Sequence, residues 1–314
     1  MTILRKAGII IAGLSCMLIM FTGCTKKQET PDSSASTSSS TPPPPVNEGF
    51  PVTVNDVTIQ TGPVRVAVLS PSLAEIAVDM GFAPYVAVRS DECNQPEQVA
   101  ALPSAGSMLN PDADFIKEMK PDLVLMQAEP DETFRKSLGD AGVPLVVIPP
   151  AQTLEEIETV YNKVGLVFGG SVQGAEKAQK MNDTLRDGIE DIRQRVSSQK
   201  EKVAAVYATD AYGHAATGDT LIHELMTVAG LNNSAASGTH WNLPQNAGSK
   251  AAILFCPSNA KSAIAGDSRY SQSPAVRNKK IIVLEDTALQ RQGLALIDAV
   301  KAMASAAYPS AFSN

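Results

Sequence analysis

The chain has 314 residues, 44% of them hydrophobic and 19% charged, with a formal net charge of −7. That length admits about two domains, and the composition is that of an ordinary globular protein. The acidic balance, with no run of Lys and Arg interleaved with aromatics, excludes a nucleic-acid binder, which needs a basic face for phosphates.

The N-terminus is a different kind of sequence. Arg5 and Lys6 precede an apolar run from Ala7 to Phe21, and "TGC" follows. These are the parts of a secretory signal, and the run is shorter than a membrane-spanning helix requires. "MFTGC" resembles the lipobox of bacterial lipoproteins, in which Cys24 would carry the lipid and become the mature N-terminus. The alternative is a plain signal peptide with an incidental cysteine. Residues 1–23 are read as the signal peptide. Residues 24–49, rich in Ser, Thr and Pro, lack the apolar content for a core and read as a disordered tether. Of the remaining cysteines, Cys93 and Cys256 form no C-x-x-C pair. Zinc or redox motifs are therefore unsupported, and a disulfide between the two stays open.

After the tether, "FPVTVNDVTIQ" alternates apolar and polar residues as an edge hairpin does. "VRVAVLS" (64–70), "YVAVRS" (85–90), "DLVLMQ" (122–127) and "PLVVIPP" (144–150) are continuous apolar runs. Such runs mark strands buried on both faces of a parallel sheet. Helical patterns lie between them, and "TLEEIETVYNKVGLVFG" follows the last. Residues 171–199 carry one long apolar stripe: Val172, Ala175, Ala178, Met181, Leu185, Ile189, Ile192 and Val196. The spacing predicts a connecting helix of roughly 44 Å. Strands "VAAVYAT", "AAILFC" and "KIIVLE" and a closing helix, "LALIDAVKAMASAAYP", complete the chain. The expected architecture is α/β: two wound α/β lobes joined by a single long interlobe helix, with a ligand cleft between them. Residues 50–169 form the N-terminal lobe, 170–200 the helix and 201–314 the C-terminal lobe.

These segments resemble, in order and spacing, the substrate-binding proteins of ABC importers for iron-siderophores, haem and vitamin B12. The resemblance runs over about residues 50–312 and is carried by "VRVAVLSPSLAEIAVDMG", "LPSAGSMLNPDADFIKEMKPDLVLM", "LGDAGVPLVVI", "AVRNKKIIVLED", "LQRQGLALIDAV" and "YPSAF". It implies a lipid-anchored binding protein on the outer face of the cytoplasmic membrane, a monomer that captures a cobalt- or iron-containing chelate for a permease and its ATPase. It implies no catalysis and no resident cofactor. The chain departs from the family in a short segment, "HWNLPQNAGSK". It also departs in "SDECNQP", where Gln95 stands in place of the tyrosine that stacks on corrin in the B12 binders.

Ligands of wound sheets bind beyond the carboxyl ends of the strands. That rule selects Ser70, Pro71, Ser72, Arg89, Ser90 and Gln127 in the first lobe, and Asp210, Tyr212, His214 and Arg291 in the second. Trp241, the sole tryptophan, lies in a loop and suits either stacking on a flat ligand or anchoring a lid. Arg89 and Arg291 suit anionic groups on the cargo, or plain surface roles. The resemblance also implies one permease-docking carboxylate per lobe, matched by Asp114 and, approximately, by Glu224. Asp114 equally suits the dipole of its own helix. The cargo expectation is a corrinoid such as cobalamin or a ferric siderophore. Two rivals remain: a haem or metal-ion binder using His214 and Tyr212, and an extracellular enzyme on the same scaffold. No G-x-S-x-G elbow, P-loop or dinucleotide motif supports the last.

Overall fold

The computed structural model describes residues 44–45, 47–284, 289 and 291–313. The signal peptide, Cys24 and most of the tether lie outside the described residues. No helix among the described residues is long and apolar enough to cross a membrane.

A hairpin of β1 (Val52–Val54) and β2 (Val57–Ile59) opens the fold. Asn55 and Asp56 both take positive φ, as a two-residue hairpin turn demands. Then comes a four-stranded parallel sheet of β3 (Val66–Val68), β4 (Val86–Arg89), β5 (Leu123–Met126) and β6 (Leu145–Val147), in the order β4-β3-β5-β6. Helices α1 (Pro71–Asp79), α2 (Glu97–Ala100), α3 (Ala113–Glu118) and α4 (Glu132–Asp140) make the crossovers. The second sheet consists of β7 (Ala204–Tyr207), β8 (Asn232–Asn233), β9 (Ile253–Cys256) and β10 (Ile281–Val283), in the order β10-β9-β7-β8. Counted within each lobe, both sheets run second, first, third, fourth strand. Helix α7 (Leu221–Val228) therefore stands in the second lobe where α1 stands in the first. Strand β8 has only two residues, both Asn. It carries no apolar run, and the sequence reading missed it.

The continuous apolar strands have a direct cause. Val66, Val68, Leu123 and Leu125 point into one core cluster, while Ala67, Leu69, Val124 and Met126 point into another. In the second sheet Ala205, Tyr207, Ile253 and Phe255 join the first of these clusters, and Val206, Ala208, Leu254 and Cys256 form a third. A period of two with both faces apolar leaves no polar position. One core thus runs through both lobes. Each fully buried Val or Leu is worth about 1.5–3 kcal/mol, so this shared core outweighs the few hydrogen bonds of three- and four-residue strands.

One long helix joins the lobes, and the chain enters it from the last helix of the first lobe through a tight turn. Helix α5 (Leu154–Gly169) ends at Gly170, whose φ of +66° reverses the chain through a π-type turn (Gly170–Gly174). Helix α6 (Ala175–Val196) then starts 4 residues later than the stripe suggested and spans roughly 33 Å. Its buried face, Ala178, Met181, Leu185, Ile189, Ile192 and Val196, is the one the spacing predicted. Val172 belongs to the turn and is exposed. α6 packs on α5 at one end and on α8 (Ala295–Ala307) at the other. Glycines set both approaches: a Cβ at Gly174 would strike the Gly165 carbonyl, and one at Gly188 would lie 2.6 Å from Ile297. Cys93 and Cys256 form no disulfide; they sit in different core clusters.

Overpacking of a tight contact costs about 1–3 kcal/mol. Gly174→Ala should lower the unfolding free energy by about that much in a denaturant titration. Gly139→Ala, on α4 with open space at the new methyl, should be neutral or stabilising by up to about 1 kcal/mol.

Candidate ligand-binding cleft

The carboxyl ends of the two sheets face each other. The chain leaving β6 and the chain leaving β10 meet between them, where Gln292 pairs with Ala151 in both directions. Its Oε1 accepts from Ala151 N and its Nε2 donates to Ala151 O, each at 2.7 Å. Gln292 N also donates to the hydroxyl of Ser72, on α1, at 3.2 Å. Two glutamates at matching places in the two lobes grip the opposite crossing. Glu75 on α1 lies 3.5 Å from Arg291, which follows β10. Glu224 on α7 accepts at 2.9 Å from Leu154 N, which follows β6.

Above this floor a cavity of about 310 Å³ is lined by Pro71, Ser72, Glu92, Asn94, Met108, Gln127 and Arg291. It lies at the switch point of the first sheet, between β3 and β5, where a wound sheet opens its crevice. Ser70 closes the crevice from below: its Oγ accepts from Gln127 N at 2.8 Å. The side chain of Gln127 lines the cavity, and its Nε2 is buried without a hydrogen-bond partner. An unpaired buried donor costs about 1–3 kcal/mol. Arg291 is only 6% exposed. It donates to Gln95 Oε1 at 2.9 Å and to Asn94 Oδ1 at 3.1 Å. Glu92 accepts from Met108 N at 2.8 Å and from the Ser107 hydroxyl at 2.9 Å. Burial alone would raise its carboxyl, but these bonds outweigh burial and hold it below the ordinary value.

On the second lobe the loops beyond β7 form a tongue. Beyond β7 the chain folds back on itself through a bridge between Ala208 and Ala215, and a second bridge joins His214 to Asn242. Asp210 accepts from the Tyr212 and His214 amides, and its Oδ2 lies 2.6 Å from His214 Nδ1. Arg269, forked onto Asp267, donates to the Ala211 carbonyl beneath the loop. Tyr212 is 84% exposed and Trp241 37%. Trp241 and His240 both have positive φ, +63° and +53°. They are the central residues of a turn closed by Asn242 N donating to Thr239 O at 3.0 Å.

Of the residues taken from the strand ends, Pro71, Ser72, Gln127 and Arg291 meet in the cavity. Tyr212, His214 and Trp241 lie on the tongue. Arg89 and Ser90 do not reach either. Arg89 spends its guanidinium on the carbonyls of Ala100, Leu102 and Ser90. Ser90 is fully buried against Cys93. Both have structural roles, because backbone carbonyls surround the Arg89 guanidinium and Ser90 is packed inside the lobe. Asp114 stands 91% exposed at the start of α3, beside Lys117 at 2.8 Å. Glu224 is half-buried on the Leu154 amide, and its counterpart is Glu75, not Asp114. The place in the second lobe equivalent to α3 is the short turn Gly248–Lys250, which has no carboxylate. A larger cavity, about 520 Å³, lies under Asp114, lined by residues of the first lobe alone and sharing Met108 with the cleft.

Sequence reasoning missed Glu92, Asn94 and Met108. The first two follow β4 directly, so extending the strand-end rule by four residues would have found them. Met108 lies far from any strand end and carried no signal.

The periplasmic binding protein family profile matches residues 66–288. The "uncharacterized ABC transporter substrate-binding lipoprotein YvrC" of Bacillus subtilis (strain 168) is 28% identical over 327 residues, 98% of this chain and 99% of that one. Among solved structures, the periplasmic haem-binding protein HutB of Vibrio cholerae superposes with a TM-score of 0.68 at 16% identity, covering 78% of this chain and 99% of HutB. The periplasmic vitamin B12 binding protein BtuF of Vibrio cholerae gives 0.62 at 17% identity, with 80% and 99% covered.

Behind Arg291, Glu75 and Asp79 line a second hollow. Burial is the main cause raising the Glu75 carboxyl above its ordinary 4.5, with Arg291 opposing and Asp79 adding. A pKa raised by folding contributes stability below the unfolded value, lost as pH rises through the folded one. Unfolding free energy should therefore fall with rising pH just above 4.5. Glu75→Gln should flatten that part of the slope in melting curves taken from pH 4 to 7. An unchanged slope would assign it to Asp79, which burial also raises.

Proposed function

The chain belongs to the periplasmic binding protein family, and from that premise we propose that it is the solute-binding lipoprotein of an ABC importer. Anchored by lipid on Cys24 outside the cytoplasmic membrane, it takes a bulky metal chelate into the cleft and delivers it to a permease coupled to an ATPase. The observation that carries this reading is the cavity between the facing sheet edges, with the unpartnered amide of Gln127 and the buried fork of Arg291 on its wall. Corrinoids and ferric siderophores both present acceptor oxygens at their periphery. An acceptor placed on Gln127 Nε2 would recover the cost of that buried donor, and Arg291 suits a carboxylate, phosphate or hydroxamate oxygen. A cavity of about 310 Å³ admits one edge of such a chelate. The rest would lie against the tongue, where Trp241 offers a flat face. Asp114, exposed at the head of α3, is proposed as the permease contact. Such rim charges set orientation and on-rate more than affinity. Glu224, tied to Leu154, is left out of that role.

A second reading, a haem or metal-ion binder, is favoured by one observation. Asp210 fixes His214 through Nδ1, which leaves Nε2 as a ligand, and a carboxylate behind a histidine is how metal-binding imidazoles are oriented.

Titration with cobalamin, haem and several ferric siderophores, followed by Trp241 emission and by absorbance, separates the readings. Cobalamin or siderophore saturation supports the first. A haem spectrum that His214→Ala abolishes supports the second. Gln127→Leu should raise the melting temperature of the ligand-free protein and weaken cargo binding about tenfold. Asp114→Ala should leave cargo affinity unchanged while lowering uptake in cells; full uptake would remove Asp114 from the docking surface.

A further inference from the structure

The turn that carries Trp241 has an unusual composition. Turns with two successive positive φ values are the province of Asn-Gly and Gly-Gly, because a Cβ crowds the backbone there. Here the two residues are His240 and Trp241. Such a conformation persists only where the surroundings over-determine it, and the surroundings are specific. Asp219 Oδ2 accepts from His240 N at 2.9 Å. Its Oδ1 accepts from the Thr217 hydroxyl at 2.5 Å. The same Thr217 Oγ1 accepts from Trp241 N at 3.1 Å. One carboxylate thus holds both strained amides, the first directly and the second through a hydroxyl. Thr217 is fully buried, so the relay has a fixed base. The cap of α7 does not need Asp219: Thr220 fills that role, accepting from His223 N at 3.2 Å. The Trp241 carbonyl accepts from Ala215 N at 2.8 Å, which ties the turn to the tongue.

We propose that Asp219 is a positioning residue for ligand binding: through His240 and Thr217 it locks the left-handed turn that presents the Trp241 indole to the cleft. Asp219 touches no cargo. It fixes the indole in advance, so that a flat conjugated face, as in a corrin, a porphyrin or a catecholate, meets an ordered platform rather than a mobile side chain. The inference rests on the cleft reading above for its functional consequence, but its structural content concerns the ligand-free protein.

The test uses the sole tryptophan. In ligand-free Asp219→Ala, steady-state anisotropy of Trp241 emission should fall and acrylamide quenching should rise about twofold, with the melting temperature of the lobe nearly unchanged. Affinity for whichever of cobalamin, haem or a ferric catecholate binds the native protein should drop about tenfold. His240→Gly supplies the discriminating background, since glycine adopts positive φ without a Cβ. In His240→Gly/Asp219→Ala the loss of affinity should be several-fold smaller than in Asp219→Ala alone. Anisotropy unchanged by Asp219→Ala would overturn the proposal, and so would equal losses in both backgrounds. If Asp219→Ala fails to fold, Thr217→Val, which cuts the relay to Trp241, must show the same loosening or the proposal falls. If none of the probes binds the native protein while the anisotropy still falls, the positioning role stands and the cargo reading fails.

Discussion

Gln292 and Ala151 hold each other by both ends of one amide, at the point where the chain leaving each sheet crosses to the other lobe. Everything that makes a cleft depends on this crossing. It fixes the carboxyl edges of the sheets face to face, so the loops that open a wound sheet open toward one another. The glutamates on the first helix of each lobe complete it. Glu75 takes the crossing from β10 and Glu224 the crossing from β6. Because both lobes wind their strands in the same order, one sequence position in each serves the same purpose with the roles exchanged.

The cleft so formed is asymmetric in chemistry. Its first-lobe wall is polar: Ser70 pins Gln127 and Glu92 pins Met108, while Arg291 reaches across from the second lobe to Asn94, Gln95 and Glu75. The second lobe carries the tongue, on which Tyr212 is exposed and Trp241 partly so. The floor adds a constraint of its own. Arg291 belongs both to the cavity and to the interlobe contact, so a cargo group drawn to the guanidinium competes with Glu75 and touches the joint between the lobes. Helices α5, α6 and α8 back that joint with a continuous apolar core.

How much of this was legible differs from element to element. The apolar strands were legible because burial on both faces makes their residues apolar, and that pattern survives in one dimension; β8, two Asn residues, carries no such pattern. The stripe on α6 was legible for the same reason. Its start was not, since Gly170 and Gly174 look like weak points in a helix until Gly165 is seen packed against them. Pro71, Ser72, Gln127 and Arg291 were found by the strand-end rule alone. Arg89 was selected by the same rule and is structural, because three backbone carbonyls happen to surround its guanidinium.

The amino-acid sequence by itself determined the α/β class, the two wound units, the apolar face of the connecting helix and the loops from which a site would be drawn. These follow from local periodicity and from the stereochemistry of single residues. Only the tertiary structure decided which of those loops meet. It paired Glu75 with Arg291 and Glu224 with Leu154, left the Gln127 amide unpartnered, and placed Asp219 under the strained turn of Trp241. The physical reason is that hydrogen bonds and ion pairs act over about 3–4 Å, here between groups up to 220 residues apart in the chain. Their partners are chosen by packing, and no local pattern records that choice.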